Sequence, residues 1–422
     1  MNKAGYKTKL SNIASVIQGQ SPESTYYSDQ EGTPFLQGNR TFGNLYPKFD
    51  TFTKKVTKLA RKGEVLMSVR APVGDLNFAP CDLCIGRGLA SLNSKSGNNK
   101  FLYYALKYNV GNLLKQGAAT TFDSVNKDII NDFELIIPED SSQRDNVEAV
   151  LSSLDYKIDL NNRINAELEK IAKTFYDYWF VQFDFPDNNS RPYKTSGGKM
   201  IWDEKLKREI PEGWSAISIK KLLSVSKNGD WGANEENTNL LKVYCFRGAD
   251  INALNGKDSE LNPPVRYIDH KHKDRLLKAD DLIVEISGGS PTQSTGRIAH
   301  IGQKVFNRFD TPIVCSNFCK AISFKEPRHS YLIKQYWNSL YEAGIFFNFE
   351  GKTSGIKNLL FDQLVKDISI PLPEKEQLVK DYYNFASEID SLVQNNLAEN
   401  KILSDLRDWL LPMLMNGQVK IK

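Results

Sequence analysis

The feature that most constrains this chain is a repeat of itself at long range. Asn161 and Asn165 reappear 235 residues on as Asn396 and Asn400. Leu154, Ile158, Leu168 and Phe175 map at that shift onto Ile389, Val393, Leu403 and Leu410. Just upstream, Ile137-Pro138-Glu139 maps onto Leu372-Pro373-Glu374. The stretches before these segments repeat more loosely. Residues 5–16 resemble 213–225, residues 61–70 resemble 278–287, and CIGRGLASL (84–92) resembles VCSNFCKAI (314–322). A single long unit used twice predicts the order globular, helix, globular, helix, and not a short-period solenoid.

Each repeated segment carries a coiled-coil seam. Val147, Leu151, Leu154, Ile158, Asn161, Asn165, Leu168, Ala172 and Phe175 advance by alternating steps of four and three residues. Tyr382, Ala386, Ile389, Val393, Asn396, Asn400, Leu403, Arg407 and Leu410 follow the same steps. Helices of roughly 35–40 residues are about 50–60 Å long, too long to bury their stripes on a small domain. The simplest partner for each is the other, as an antiparallel pair. The expected pairing residues are Leu151, Leu154, Ile158, Asn161 and Leu168 on the first helix, and Ile389, Val393, Asn396, Leu403 and Leu410 on the second. The seam asparagines either fix register through paired amides or face solvent or another protein.

The globular parts read as mixed α/β, with strand-sized apolar runs at 65–69 and 281–286 and helical spacing at 101–116 and 331–347. The expected division is a first globular domain at 1–138, a helical segment at 139–183, a polar linker at 184–212, a second globular domain at 213–372 and a C-terminal helical segment at 373–422.

The net charge over 422 residues is only +4, but its distribution is uneven. Residues 1–122 hold 16 Lys/Arg against 7 Asp/Glu, and 213–360 hold 20 against 15. The helical segments are acidic, 5 against 9 over 139–182 and 6 against 8 over 374–422. Two basic bodies between acidic ones suit a protein that meets a polyanion at two places. No apolar run is long enough to span a membrane. Five cysteines, an odd number, argue for a reducing compartment, so a cytoplasmic protein is expected.

Catalytic signatures are weak. Asn262-Pro263-Pro264-Val265 lacks the aromatic residue that amino-methyltransferases place last in this motif, and no glycine-rich cofactor loop precedes it. The glycine-rich run 288–296 has no following Gly-Lys-Ser/Thr to hold phosphates. Cys81 and Cys84, and Cys315 and Cys319, lack nearby histidines to complete a zinc site. No metal or catalytic residue is assigned.

Residues suited to nucleic acid are easier to find. Gln37, Asn39 and Arg40 follow a strand-like run, and Arg247 stands at the corresponding place in the second half. Gln and Asn can pair with adenine, and Arg with guanine. Arg70 follows a strand, and Arg87 lies between two glycines. Lys115, Thr120 and Thr121 in one loop, and Lys352, Thr353, Ser354 and Lys357 in its counterpart, can hold phosphates, as can Arg297. Two related, non-identical readers joined by helices would recognise two different half-sites at a fixed spacing.

This alternation resembles the specificity subunit of type I restriction–modification systems. Phe175-Tyr176-Asp177-Tyr178-Trp179-Phe180-Val181-Gln182-Phe183-Asp184, Gly197-Gly198-Lys199-Met200 and Ile210-Pro211-Glu212-Gly213-Trp214 look like that family's central junction. The resemblance implies two target recognition domains on double-stranded DNA and paired helices that dock two methyltransferase (modification) subunits, with motor-nuclease (restriction) subunits joining. It also implies that S-adenosylmethionine, ATP and Mg²⁺ sit on those partners and no cofactor on this chain.

Overall fold

The computed structural model describes residues 6–118, 125–257, 261–290, 292–353 and 356–421, with side chains described for all of these except 112–118, 352–353 and 356. The chain forms two compact units, one of residues up to 159 with 402–422, the other of residues 160–401. Each unit therefore holds a globular lobe and part of both long helices, α1 (Ser141–Tyr176) and α2 (Gln377–Met415).

The first lobe is built on β1 (Ala14–Gln18), β2 (Thr33–Leu36), β3 (Val65–Ser68), β4 (Leu83–Ile85) and β5 (Leu89–Ser94). In one antiparallel sheet β5 lies between β1 and β3. In a second, β2 and β4 run parallel, with Phe35 opposite Cys84 and Leu36 opposite Ile85. All four residues of β3 are buried, three of them apolar and the fourth, Ser68, with its hydroxyl bonded to Pro72 O and Asp75 N. Because strand side chains alternate, Val65 and Met67 enter one core while Leu66 enters another with Leu36, Leu83 and Ile85. The first of these cores is closed by Val147 and Leu151 of α1 with Leu411, Leu414 and Met415 of α2. The start of α1 thus meets the end of α2, an antiparallel arrangement.

The second lobe repeats this plan strand for strand. β6 (Leu223–Asn228), β7 (Leu240–Phe246), β8 (Asp281–Glu285), β9 (Ile313–Cys315) and β10 (Cys319–Phe324) take the places of β1 to β5. β10 lies between β6 and β8, and β7 runs parallel to β9. A helix follows β5 at Asn99–Ala118 and β10 at His329–Glu342. Each lobe is closed by pairing its first strand with its last, Tyr6–Lys9 with Glu134–Ile137 and Trp214–Ser218 with Ser369–Pro373.

Within this second unit the helices are again antiparallel. Ala172 packs on Ile389 and Val393, with Leu168 alongside. The asparagines are paired. Asn161 Nδ2 donates to Asn400 Oδ1 (2.9 Å) and Glu399 Oε2 (2.8 Å), Asn396 Nδ2 to Asn165 Oδ1 (2.8 Å), and Asn400 Nδ2 to Asn162 Oδ1 (2.8 Å). The seam drifts at its ends. Tyr176 is buried where the stepping predicts Phe175, because α1 widens there into a π-helical turn at Asp177–Val181. Leu154 is half-buried beside a fully buried Asp155, and Leu410 beside a buried Leu411.

Residues 184–212, polar enough to read as a linker, fold as a cap on the second lobe. Met200–Asp203 and Arg208–Pro211 form a hairpin, Phe185 stacks on Tyr193 and Trp214, and Asp184 accepts from the Thr195 backbone (2.7 Å) and hydroxyl (2.6 Å). Among the described residues, no helix is long and apolar enough to cross a membrane.

Candidate nucleic-acid interface

Parallel pairing of β2 with β4 brings their carboxyl ends out side by side, and the turn Gly86-Arg87-Gly88 closes over them. Its backbone is held by several bonds, including Arg87 N to Ser21 Oγ (3.2 Å). Gly86 N donates to Leu36 O (2.8 Å), Gly88 N to Gln37 O (3.0 Å) and Leu89 N to Gly86 O (3.0 Å), while Val69 N donates to Gly88 O (2.9 Å). A Cβ on Gly88 would meet Gln37 O and lie 3.0 Å from Gly38 Cα, so close backbone approach requires glycine there. Both glycines are buried, and Arg87 between them is exposed.

The other sequence candidates are placed as follows. Gln37 is exposed on the turn after β2 and accepts a bond from Ser21 Oγ (2.7 Å). Asn39 donates to Asp75 (2.6 Å), and Arg40 forms an exposed ion pair with Asp50 (2.6 Å) that holds the Asp50 carboxyl below its ordinary range. Arg70 is exposed next to Val69, hence beside the Arg87 turn, and neither arginine has an ion-pair partner among the described residues. In the second lobe, Arg247 forks onto buried Asp250 (2.9 Å twice), and Arg297 onto Glu285 (2.6 and 2.9 Å). A base could engage either guanidinium only by displacing a buried carboxylate, which is costly. Lys357 pairs with Glu350 (2.9 Å) over the Phe347 ring. Thr120, Thr121 and Ser354, with the side chains of Lys115, Lys352 and Thr353, lie outside the described residues.

Several features are absent from the sequence candidates. Asn317 and Phe318 are exposed on the turn between β9 and β10, beside a cavity of about 400 Å³ lined also by Trp231, Arg247 and Ser287. The repeat aligns Asn317 with Arg87, a signal available in the sequence. A tyrosine–aspartate bond ties each lobe to a helix, Tyr104 to Asp155 (2.6 Å) and Tyr331 to Asp390 (3.1 Å). The two aspartates are separated by the same 235 residues as the asparagines. Arg407 completes the first pair (2.6 Å) and His300 the second (3.8 Å). Burial disfavours a charged His300, but its hydrogen bond to Asp280 (3.2 Å) and the nearby Asp390 carboxylate outweigh that and raise its pKa.

Burial pushes the Cys245 and Cys319 thiols up to about 12, the opposite of an activated nucleophile. Among the described residues, no three His, Cys, Asp or Glu side chains converge as a metal site.

Residues 6–170 match the family model of the type I restriction modification DNA specificity domain. The putative type I restriction enzyme MjaX specificity subunit of Methanocaldococcus jannaschii is 37% identical over 161 residues, 37% of this chain and 38% of that protein. The MjaIX specificity subunit of the same organism is 24% identical over 98% of this chain and 93% of its own length. Among solved structures, the type I restriction-modification S subunit from M. genitalium has this fold, with TM-score 0.56 at 15% identity, covering 98% of this chain and 96% of that one.

Proposed function

We propose that this chain, whose residues 6–170 belong to the type I restriction modification DNA specificity domain family, is the non-catalytic specificity subunit of such a system. Its two lobes read the two halves of an asymmetric, bipartite double-stranded DNA target. The observation that carries this reading is the duplication: one strand framework occurs twice, with different side chains exposed on equivalent turns.

The helices set the half-site spacing and dock two methyltransferase subunits, and motor-nuclease subunits join the assembly. A second stripe on α1 and the π-helical turn that follows it, Ile164, Ile171 and Tyr178 at seven-residue spacing, stays exposed by 38–45% and suits a helical partner. The partners hold S-adenosylmethionine, ATP and Mg²⁺, and the complex works in the cytoplasm.

The test is capture of partners from the native host with this chain as bait, together with methylome sequencing with and without its gene. Recovery of a methyltransferase and loss of one split methyl-adenine motif is the expected result. Unrelated partners and an unchanged methylome would overturn the reading.

A further inference from the structure

The turn that presents Arg87 has a counterpart in the second lobe that shares five of its main-chain bonds, although Phe318 stands where the first lobe has Gly88. Gly86 N to Leu36 O corresponds to Ser316 N to Phe246 O (2.8 Å), and Leu89 N to Gly86 O corresponds to Cys319 N to Ser316 O (2.8 Å). Gln20 N to Ile85 O corresponds to Asp230 N to Cys315 O, and Gly19 N to Leu89 O to Gly229 N to Cys319 O. Val69 N to Gly88 O corresponds to Ile286 N to Phe318 O. Gly19 and Gly229 also match in packing, since a Cβ on either would fall on the carbonyl of Gly86 or Ser316. These bonds superpose Arg87 on Asn317 without reference to side chains. They also place Gln37 with Arg247 and Arg70 with Ser287.

The side chains at these three positions differ in what they are free to do. Gln37 is held by Ser21, Arg247 by Asp250, and Ser287 Oγ donates to Asn358. Position 87/317 is the one of the three whose side chain is exposed and makes no hydrogen bond or ion pair in either lobe, among the described residues; the Arg87 backbone N donates to Ser21 Oγ (3.2 Å). Its two occupants have different base preferences, Arg for the O6/N7 edge of guanine and Asn for the N6/N7 edge of adenine. Both stand on backbone that cannot shift without breaking several bonds, as a base reader needs.

We propose that residues 87 and 317 are the equivalent base-reading positions of the two lobes, Arg87 selecting a guanine in one half-site and Asn317 an adenine in the other. This rests on the DNA-specificity reading above.

The test replaces the gene in its host with Arg87→Asn or Asn317→Arg and reads the methylome, after the wild-type motif has been determined. Arg87→Asn should turn one guanine of one half-site into adenine and leave the other half-site and the spacing unchanged. Asn317→Arg should do the converse in the other half. Should a variant abolish methylation, Arg87→Ala and Asn317→Ala are measured in the purified complex on duplexes substituted one position at a time. Loss of roughly 5- to 150-fold discrimination at a single base pair supports the proposal. An unmoved motif, or equal weakening on every duplex as a phosphate contact would give, overturns it. A wild-type chain that yields no split motif sinks the DNA-specificity reading itself, whereas an intact wild-type motif with unmoved variants sinks this inference alone.

Discussion

Asp155 is 2% exposed and carries a charge deep in the first unit, so its partners decide whether it stabilises or harms the fold. Arg407 and the Tyr104 hydroxyl each approach it to 2.6 Å. Arg407→Ala should strand that carboxylate and cost about 3–5 kcal/mol, with Asp155→Asn also destabilising. The double variant should lose less than the two singles combined, measured by denaturant unfolding; strict additivity would mean the pair is not coupled. His300 gives a pH signature. Its raised pKa means its contribution is complete below about pH 6.5, the ordinary histidine value, and is lost as pH rises through the folded-state value. The groups facing it are Asp280, Asp390, Lys334, Ser330 and Tyr331. Thermal melts from pH 6 to 9 should show a fall that Asn or Gln at position 300 flattens, and parallel curves would remove His300 from that role. None of these partnerships is legible in sequence. Arg247 and Arg297 look like Arg70 and Arg87 until the carboxylates beside them are seen, because residue type states a charge and not its neighbour.

At the level of elements, the sequence is more informative. The alternating steps of four and three residues are a local pattern, and they locate both helices and most of their buried faces. The stepping fails where geometry changes, at the π-helical turn that buries Tyr176 in place of Phe175. Asn162 lies off the seam, yet it accepts from Asn400 and completes the amide network. The linker reading of 184–212 fails for another reason: the stacking of Phe185 on Tyr193 and on Trp214 forms only in three dimensions. Two substitutions probe the elements. Ile389→Asp would place a carboxylate among Ala172 and Val393 and should lower the melting temperature of the second unit markedly; an unchanged melt would deny the seam its role. Gly88→Ala should cost about 1–3 kcal/mol by overpacking, whereas Gly38→Ala, with nothing within 4 Å of its Cβ, should cost far less. Equal losses would show that the turn is not tightly framed.

For the whole molecule, the duplication together with the function proposed above predicts that the two lobes are separable. Exchange of residues 6–137 for the corresponding lobe of a homologous chain should change one half of the methylated motif and leave the other half and the gap intact. A change in both halves would mean that the lobes do not read independently. The long-range repeat made this architecture visible before any coordinate, since two copies of one pattern 235 residues apart admit few other folds. Asn317 is aligned with Arg87 by that repeat, but an uncharged turn residue draws no notice of its own, and the matched bonds around the two are what single it out.

The framed turn also bears on how such a protein can change over generations. In the first lobe its shape is fixed by main-chain bonds and by two buried glycines, and the exposed Arg87 side chain makes none of those bonds; in the second, Asn317 is exposed beside an exposed Phe318. If residues 87 and 317 read bases as proposed, substitution there should alter what the lobe prefers while leaving the main-chain bonds of the turn in place. On that proposal, a lineage could move from one target to another by single replacements, without passing through ancestors that fail to fold.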